Sequence, residues 1–416
     1  MKVKIDDLKR VFLLVALLSY LGVFSFIGLM LTGGRSDDAF AENVSGSLLN
    51  QIVGVSLFLS SFLLLYHSSH FSLIRAAKQS FWWLVLIGYF ALSISWSYAP
   101  QVSFRRLVAF ITLLTVAYCL VEFFTARSLL TLLATAIGIL AIAGLLYALL
   151  QPDKAFISEG IRAQAFKGIY FDKNGGARVY AYAVLLIVGL QLYKTRFYQV
   201  LLAILLLCIL ISQSATAVVI VFFGLLLSGA FNLLHSSSLQ LNFLRFFLLL
   251  AGLVIGGSLI YQLYDLVLLW LGRDPTLTNR VIIWALLDPY IQAEWLRGYG
   301  FGGFWSSSAV SEFVARWGFI GNAHSGYYEA LLHGGIIALV LVFIIIFHTL
   351  WRLSKHYIYS VNSLVASMLL PFVLIQVVVN YIGYLIINHN SFDMFIFSII
   401  YFIASRGVSR HDPEQS

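Results

Sequence analysis

The sequence predicts an all-α, polytopic membrane protein: about twelve transmembrane helices in a single domain over residues 1–416, with one large outer loop over residues 264–333 between the ninth and tenth spans. Three observations predict it. The 416 residues are 61% apolar and only 11% charged, where soluble domains carry roughly a quarter of charged residues. The apolar residues fall into runs near the ~20 residues that a helix needs to cross a hydrocarbon core. The basic residues between those runs alternate by loop.

In chain order the runs are Val11–Leu31, Ser47–Tyr66, Phe81–Trp96, Phe104–Phe124, Leu129–Leu150, Val179–Tyr193, Gln199–Ser212, Thr216–Leu234, Phe243–Leu263, Gly334–Trp351, Leu364–Tyr384 and Phe392–Ser405. The sixth and seventh are short, which leaves eleven spans open as the alternative. The first run follows a basic flank but is too long for the core of a signal peptide, so it reads as a retained span. Cys119 and Cys208 both fall inside apolar runs, so neither a disulfide framework nor metal-ligand spacing is expected.

Lys and Arg concentrate in short cytoplasmic loops. With both termini inside, the inner loops collect Lys2, Lys4, Lys9, Arg10, Arg75, Lys78, Arg127, Lys194, Arg196, Arg245, Arg352, Lys355, Arg406 and Arg410, fourteen of the 26 basic residues. The formal net charge of +8 therefore reflects membrane topology and not nucleic-acid binding. The other twelve basic residues lie on the outer side against the rule. Several flank span ends, among them Arg105, Arg106 and Arg178, where they either snorkel to headgroups or hold an anion.

Two outer segments are long. Gln151–Asn174 leads into Lys173-Asn174-Gly-Gly-Ala-Arg178, whose paired glycines permit close approach of a ligand. The loop over 264–333 carries Arg273, Arg280, the apolar set around Trp284, a glycine cluster at Gly298–Gly303 expected to be a flexible turn, and His324. The apolar set suits a helix lying on the membrane surface or capping the bundle. Asn322 or Ser325 is placed to cap the helix that carries Tyr327, Glu329 and His333.

No cofactor or metal motif appears in the chain. A lone histidine is most often a structural hydrogen-bonder. His324 stands out because it adjoins glycine-rich sequence, shares its loop with arginines and has Glu329 five residues on. An imidazole deprotonates a hydroxyl, and an arginine fork grips a diphosphate. Together they supply the parts for moving a group from a phosphate ester to an alcohol.

On these residues the chain resembles the superfamily of bacterial O-antigen ligases and O-antigen or exopolysaccharide polymerases. The sharpest piece is His324-Ser325, then nine residues, then Gly335, with Ala338 three further on where a small residue is expected. Gly272-Arg273…Asn279-Arg280…Trp284, Gly298-Tyr299-Gly-Phe-Gly and Ser93-Ile-Ser-Trp96-Ser are similar to the family as well. The resemblance implies a GT-C-like, metal-independent transferase without a cofactor, working at the periplasmic face of the bacterial inner membrane. Its donor would be an undecaprenyl-diphosphate-linked glycan and its acceptor lipid A-core or a growing polysaccharide, among membrane lipids. It implies His324 as base and Arg280 on the diphosphate, with Arg178, Lys173, Asn174, Arg105, Arg106, Arg273, Tyr299 and Glu329 as substrate-binding candidates. In one place the chain departs from the ligase pattern: the Ser-rich outer turn Ser212-Gln-Ser214-Ala215-Thr216 carries no basic residue.

The competing class is a transporter of a lipid or anionic solute that uses the same outer arginines. A transporter favours internal repeats and ionisable groups at mid-span. The sequence shows no convincing repeat, and its outer charges cluster at span ends.

Overall fold

The computed structural model describes residues 5–32, 48–69, 71–157, 164–235, 238–262, 280–306, 321–359 and 364–406. Among them the fold is all-helical, with only a lone bridge between Phe156 and Phe166. A helix lies under each of the twelve apolar runs. Five of these helices are long and apolar enough to cross a membrane: Leu48–Tyr66, Pro100–Phe123, Ala126–Leu150, Ala215–Leu234 and Gly326–Tyr359. Seven qualify if each of two bent pairs counts as one span.

The bent pairs revise the first and third runs. Val11–Leu31 was expected as one span, but the helices Asp6–Tyr20 and Val23–Leu31 meet at 65°. Gly22 sits between them at φ +82°, a left-handed conformation that ends a helix and is cheap only for glycine. Leu73–Gln79 meets Phe81–Trp96 at 79°, with Ser72 capping the first of these helices through the Arg75 N–H.

Contacts within the chain group it into two compact units. The first comprises residues 1–84, 105–227 and 388–416; the second comprises 85–104 and 228–387. In the first unit the Phe392–Arg406 helix is buried from Phe392 to Ala404. Tyr20 stacks on Phe395 at 4.2 Å, and Trp83 packs edge-on against Phe110, Phe397 and Tyr401. At one end of this unit Glu122 is shared by Arg75 (3.0 Å) and Arg406 (3.2 Å), tying together segments far apart in sequence.

The second unit is organised around the Gly326–Tyr359 helix, which is broken at Gly334 and Gly335. Gly335 lies at φ +62°, and a Cβ there would come within 2.2 Å of the Leu296 carbonyl carbon. The break admits the 295–299 strap: Ile336 N–H donates to Trp295 O and Tyr299 N–H to Leu332 O, both at 2.8 Å. The glycine that follows His324-Ser325 after nine intervening residues thus has a steric reason to be glycine. Gly335→Ala is expected to lower stability by at least the ~1–3 kcal/mol of a strained left-handed residue, with displacement of the strap added. Thermal unfolding in detergent reads the loss.

Candidate active site

His324 occupies a short turn that leads into the Gly326–Tyr359 helix, at φ +50°. Its own N–H donates to Asn322 Oδ1 at 2.8 Å. On one side, the Ala323 N–H donates to Glu329 Oε1 at 2.6 Å, and the Ala323 carbonyl accepts from Trp284 Nε1 at 2.9 Å. On the other side, the Gly326 N–H donates to the carbonyls of Asn380 (2.8 Å) and Gly383 (2.9 Å). His324 is half-buried between the fully buried Ala323 and Ser325. The turn is therefore clamped at both shoulders, with the imidazole-bearing residue partly open. The capping expectation is revised: the Asn322 oxygen is used inside the turn, and the buried Ser325 hydroxyl makes no hydrogen bond among the described residues.

Glu329 was a substrate-binding candidate, and here it is wholly buried. Besides Ala323 it accepts from Trp305 Nε1 at 2.9 Å, and its second oxygen lies 3.6 Å from His333 Nε2. His333 in turn meets the Tyr384 hydroxyl at 2.9 Å and packs edge-on against Phe301. This network holds the turn in place from the inside, since Ala323, Trp305, Glu329 and His333 are all buried. His333 is only 1% exposed. Its removal would open a cavity beside a buried carboxylate, so it is unsuited as a neutral control for His324.

Arg280 is the first residue of the Arg280–Ala293 helix. Four residues on, Trp284 donates to Ala323 and stacks on Tyr328 with ring planes 15° apart. Arg280 thus stands one helical turn, roughly 6 Å of rise, from the residue that grips the His324 turn. The same helix buries Trp284 and Leu287 and leaves Val281 and Ile282 exposed. Tyr299, another substrate-binding candidate, is a core residue whose hydroxyl donates to Tyr290 O at 2.9 Å. Burial pushes its phenol up to about 12, so it stays a neutral donor at ordinary pH.

Two motifs singled out in sequence meet in this unit. The Phe301 N–H donates to Ser93 Oγ at 3.1 Å, Phe301 stacks on Phe90 at 4.2 Å, and Trp96 Nε1 donates to Arg297 O at 3.3 Å. The Gly298–Gly303 cluster was expected to be flexible. It is buried throughout, because its glycines bring backbone against backbone and against Ser97.

The remaining described candidates belong to the first unit. Arg178 was expected to hold a diphosphate. Its fork is bidentate on Asp393, with Nε to Oδ1 at 3.2 Å and Nη2 to Oδ2 at 3.0 Å, and the Tyr182 hydroxyl donates to the same carboxylate at 2.8 Å. Lys173 is 3% exposed, and its ammonium donates to the carbonyls of Ser212 (3.2 Å) and Gln213 (3.4 Å). The Ser214 hydroxyl donates to Asn174 Oδ1 at 3.1 Å. The Ser-rich turn that lacks a basic residue of its own therefore receives one from Lys173. Gly176 was expected to admit a ligand; it is covered by the Tyr170 ring, which a Cβ there would meet at 2.7 Å. Arg105 and Arg106 are half-buried on the Pro100–Phe123 helix. Arg273 lies outside the described residues.

A scan against protein-family models and a search of curated proteins find no match to this chain.

Sequence reasoning missed Asp393, Asn380, Trp305 and Tyr384. Asp393 had a weak signal as an acid at the start of an apolar run, where an unpaired charge is costly. Asn380 uses its side-chain oxygen to accept from the Leu385 and Ile386 N–H groups, a role that nothing in Val-Val-Asn-Tyr-Ile announces.

Proposed function

We propose that the protein is an inner-membrane glycosyltransferase of the O-antigen ligase or polymerase type. It moves a glycan from undecaprenyl diphosphate to an acceptor hydroxyl, of lipid A-core or of a growing polysaccharide. The observation that carries this reading is the His324 turn: a non-glycine residue at φ +50°, half-open, with Ala323 before it and Gly326 after it each held by hydrogen bonds. Strained backbone held by over-determined surroundings is characteristic of functional sites.

In the proposed reaction the His324 imidazole accepts the proton of the acceptor hydroxyl. The hydroxyl oxygen forms a bond to the anomeric carbon, and the bond from that carbon to the diphosphate oxygen breaks. Undecaprenyl diphosphate leaves with the electron pair, its charge met by Arg280. Glu329 acts by positioning, through Ala323. The Lys173 and Arg178 networks shape the first unit rather than meeting the donor directly.

The reading includes about twelve crossings in a GT-C-like arrangement, both termini in the cytoplasm and the site in the periplasm. Pairings within each unit are consistent with that topology. Arg75, Glu122 and Arg406 meet at ends assigned inside. Lys173 meets Ser212, and Trp96 meets Arg297, at ends assigned outside.

The test is incubation of the purified protein with lipid-linked glycan, with and without lipid A-core. Glycosylated core or glycan ladders on the carrier lipid support the proposal, and absence of both products overturns it. Arg280→Lys and Arg280→Ala are each expected to lose most activity in this assay, because an ammonium does not reproduce the planar fork. Full activity in both would remove Arg280 from the site.

A further inference from the structure

Residues 294–297, at the start of the strap, present side chains that the network around His324 does not use. Trp295 is 58% exposed and Leu296 49%, next to the half-exposed Tyr98. The patch is held rigidly. Trp295 O accepts from the Ile336 N–H at 2.8 Å, the Tyr98 hydroxyl donates to Glu294 Oε1 at 3.3 Å, and Trp96 Nε1 donates to Arg297 O at 3.3 Å. Arg297 stands at its rim, paired with Glu294 at 3.4 Å and still more than half exposed.

Ile336 decides what covers this surface. It is the first residue after the break in the Gly326–Tyr359 helix, which is the most apolar membrane-span candidate among the described residues. Its outward face continues from Ile336 and Ile337 to Val340 and Phe343, all exposed. The hydrogen bond from the Ile336 N–H to the Trp295 carbonyl therefore sets the exposed Trp295 level with the end of a helix whose outward face is apolar. Tryptophan and tyrosine favour that depth, with the ring in the upper acyl region and the polar edge among headgroups, while arginine reaches for phosphate.

We infer that Tyr98, Trp295, Leu296 and Ile336 form an anchor in the phospholipid headgroup layer, with Arg297 at the phosphate level. The anchor seats the strap, and through Tyr299 and Leu332 the helix that carries the His324 turn, at the polar–apolar boundary of the bilayer. The occupant is bulk membrane lipid, and the inference stands whether or not the protein transfers glycans.

Quenching of tryptophan emission in reconstituted phosphatidylcholine vesicles tests it, with the share of Trp295 taken as wild type minus Trp295→Phe. Lipids carrying a nitroxide on the headgroup are expected to quench that share several-fold more than aqueous iodide or a nitroxide on acyl carbon 12. Stronger quenching by iodide would place the patch in water, and stronger quenching by the carbon-12 label would place it in hydrocarbon. Protection from all three would mean a covering protein surface, such as a second copy of the chain. Each of these results overturns the anchor. Should Trp295→Phe not fold, Leu296→Cys carrying an environment-sensitive fluorophore gives the same readout with the same quenchers.

Discussion

Replacing His324 by Asn is expected to lower glycan transfer by about 10²–10⁴-fold, the usual contribution of a general base, while the protein reaches the membrane at normal levels. Asparagine is the informative substitution because it tolerates the left-handed region that His324 occupies at φ +50°. The turn keeps its shape and loses only the base. His324→Ala should lose at least as much activity, with an added strain cost at the same backbone position. Donor binding should be almost unchanged in His324→Asn, since in the proposed reaction His324 acts on the acceptor proton and not on the diphosphate. Product formation and lipid-linked donor binding are measured side by side. Wild-type turnover by His324→Asn would remove the acid–base account and leave the reaction to arginine electrostatics alone. His333→Ala should fail differently, through lost abundance and a lowered unfolding midpoint, because it breaks the buried contacts to Glu329 and Tyr384.

The second large effect is expected at Asp393. Its carboxylate holds the Arg178 fork and the Tyr182 hydroxyl, with side-chain exposure of 6% for the aspartate and 16% for the arginine. Removing one member of a buried pair strands the other, at about 3–5 kcal/mol. Asp393→Ala should therefore be strongly destabilised, and Arg178→Lys should lose the bidentate geometry and much of the stability with it. A double substitution of both residues by apolar ones should recover part of the loss, because a buried pair costs most when half of it is missing. Thermal unfolding of Asp393→Ala, Arg178→Ala and the variant that combines these two substitutions gives the coupling directly, in detergent. Additive losses would show that the pair is not a unit. The arginine that looked most like a donor ligand on the outer side is thus first a structural residue of its own unit.

Much of the helical layout was legible in the sequence, since every apolar run lies under a helix. Runs of that length and polarity leave a backbone few options other than helix. Gly335 was legible as a position, through its distance from His324, although the reason for it was not: only the folded chain shows the Leu296 backbone against it. Charge sign and loop alternation also placed His324 and Arg280 in one segment, and the Trp284 hydrogen bond gives that grouping a physical link.

The sequence by itself determined that the chain is helical and apolar, where its polar segments lie, and that His324 stands in a polar segment rich in chemistry-bearing residues. These are properties of local composition and spacing, and local physics suffices for them. Only the tertiary structure decided which polar side chains are spent inside the protein. Glu329 faces Ala323 and Trp305, Arg178 faces Asp393 215 residues away, and Lys173 faces the Ser212 turn. Each of those pairings joins residues that no periodicity connects. A buried charge must find its partner wherever the packing of apolar faces happens to bring one, so sequence alone left these residues open as ligands.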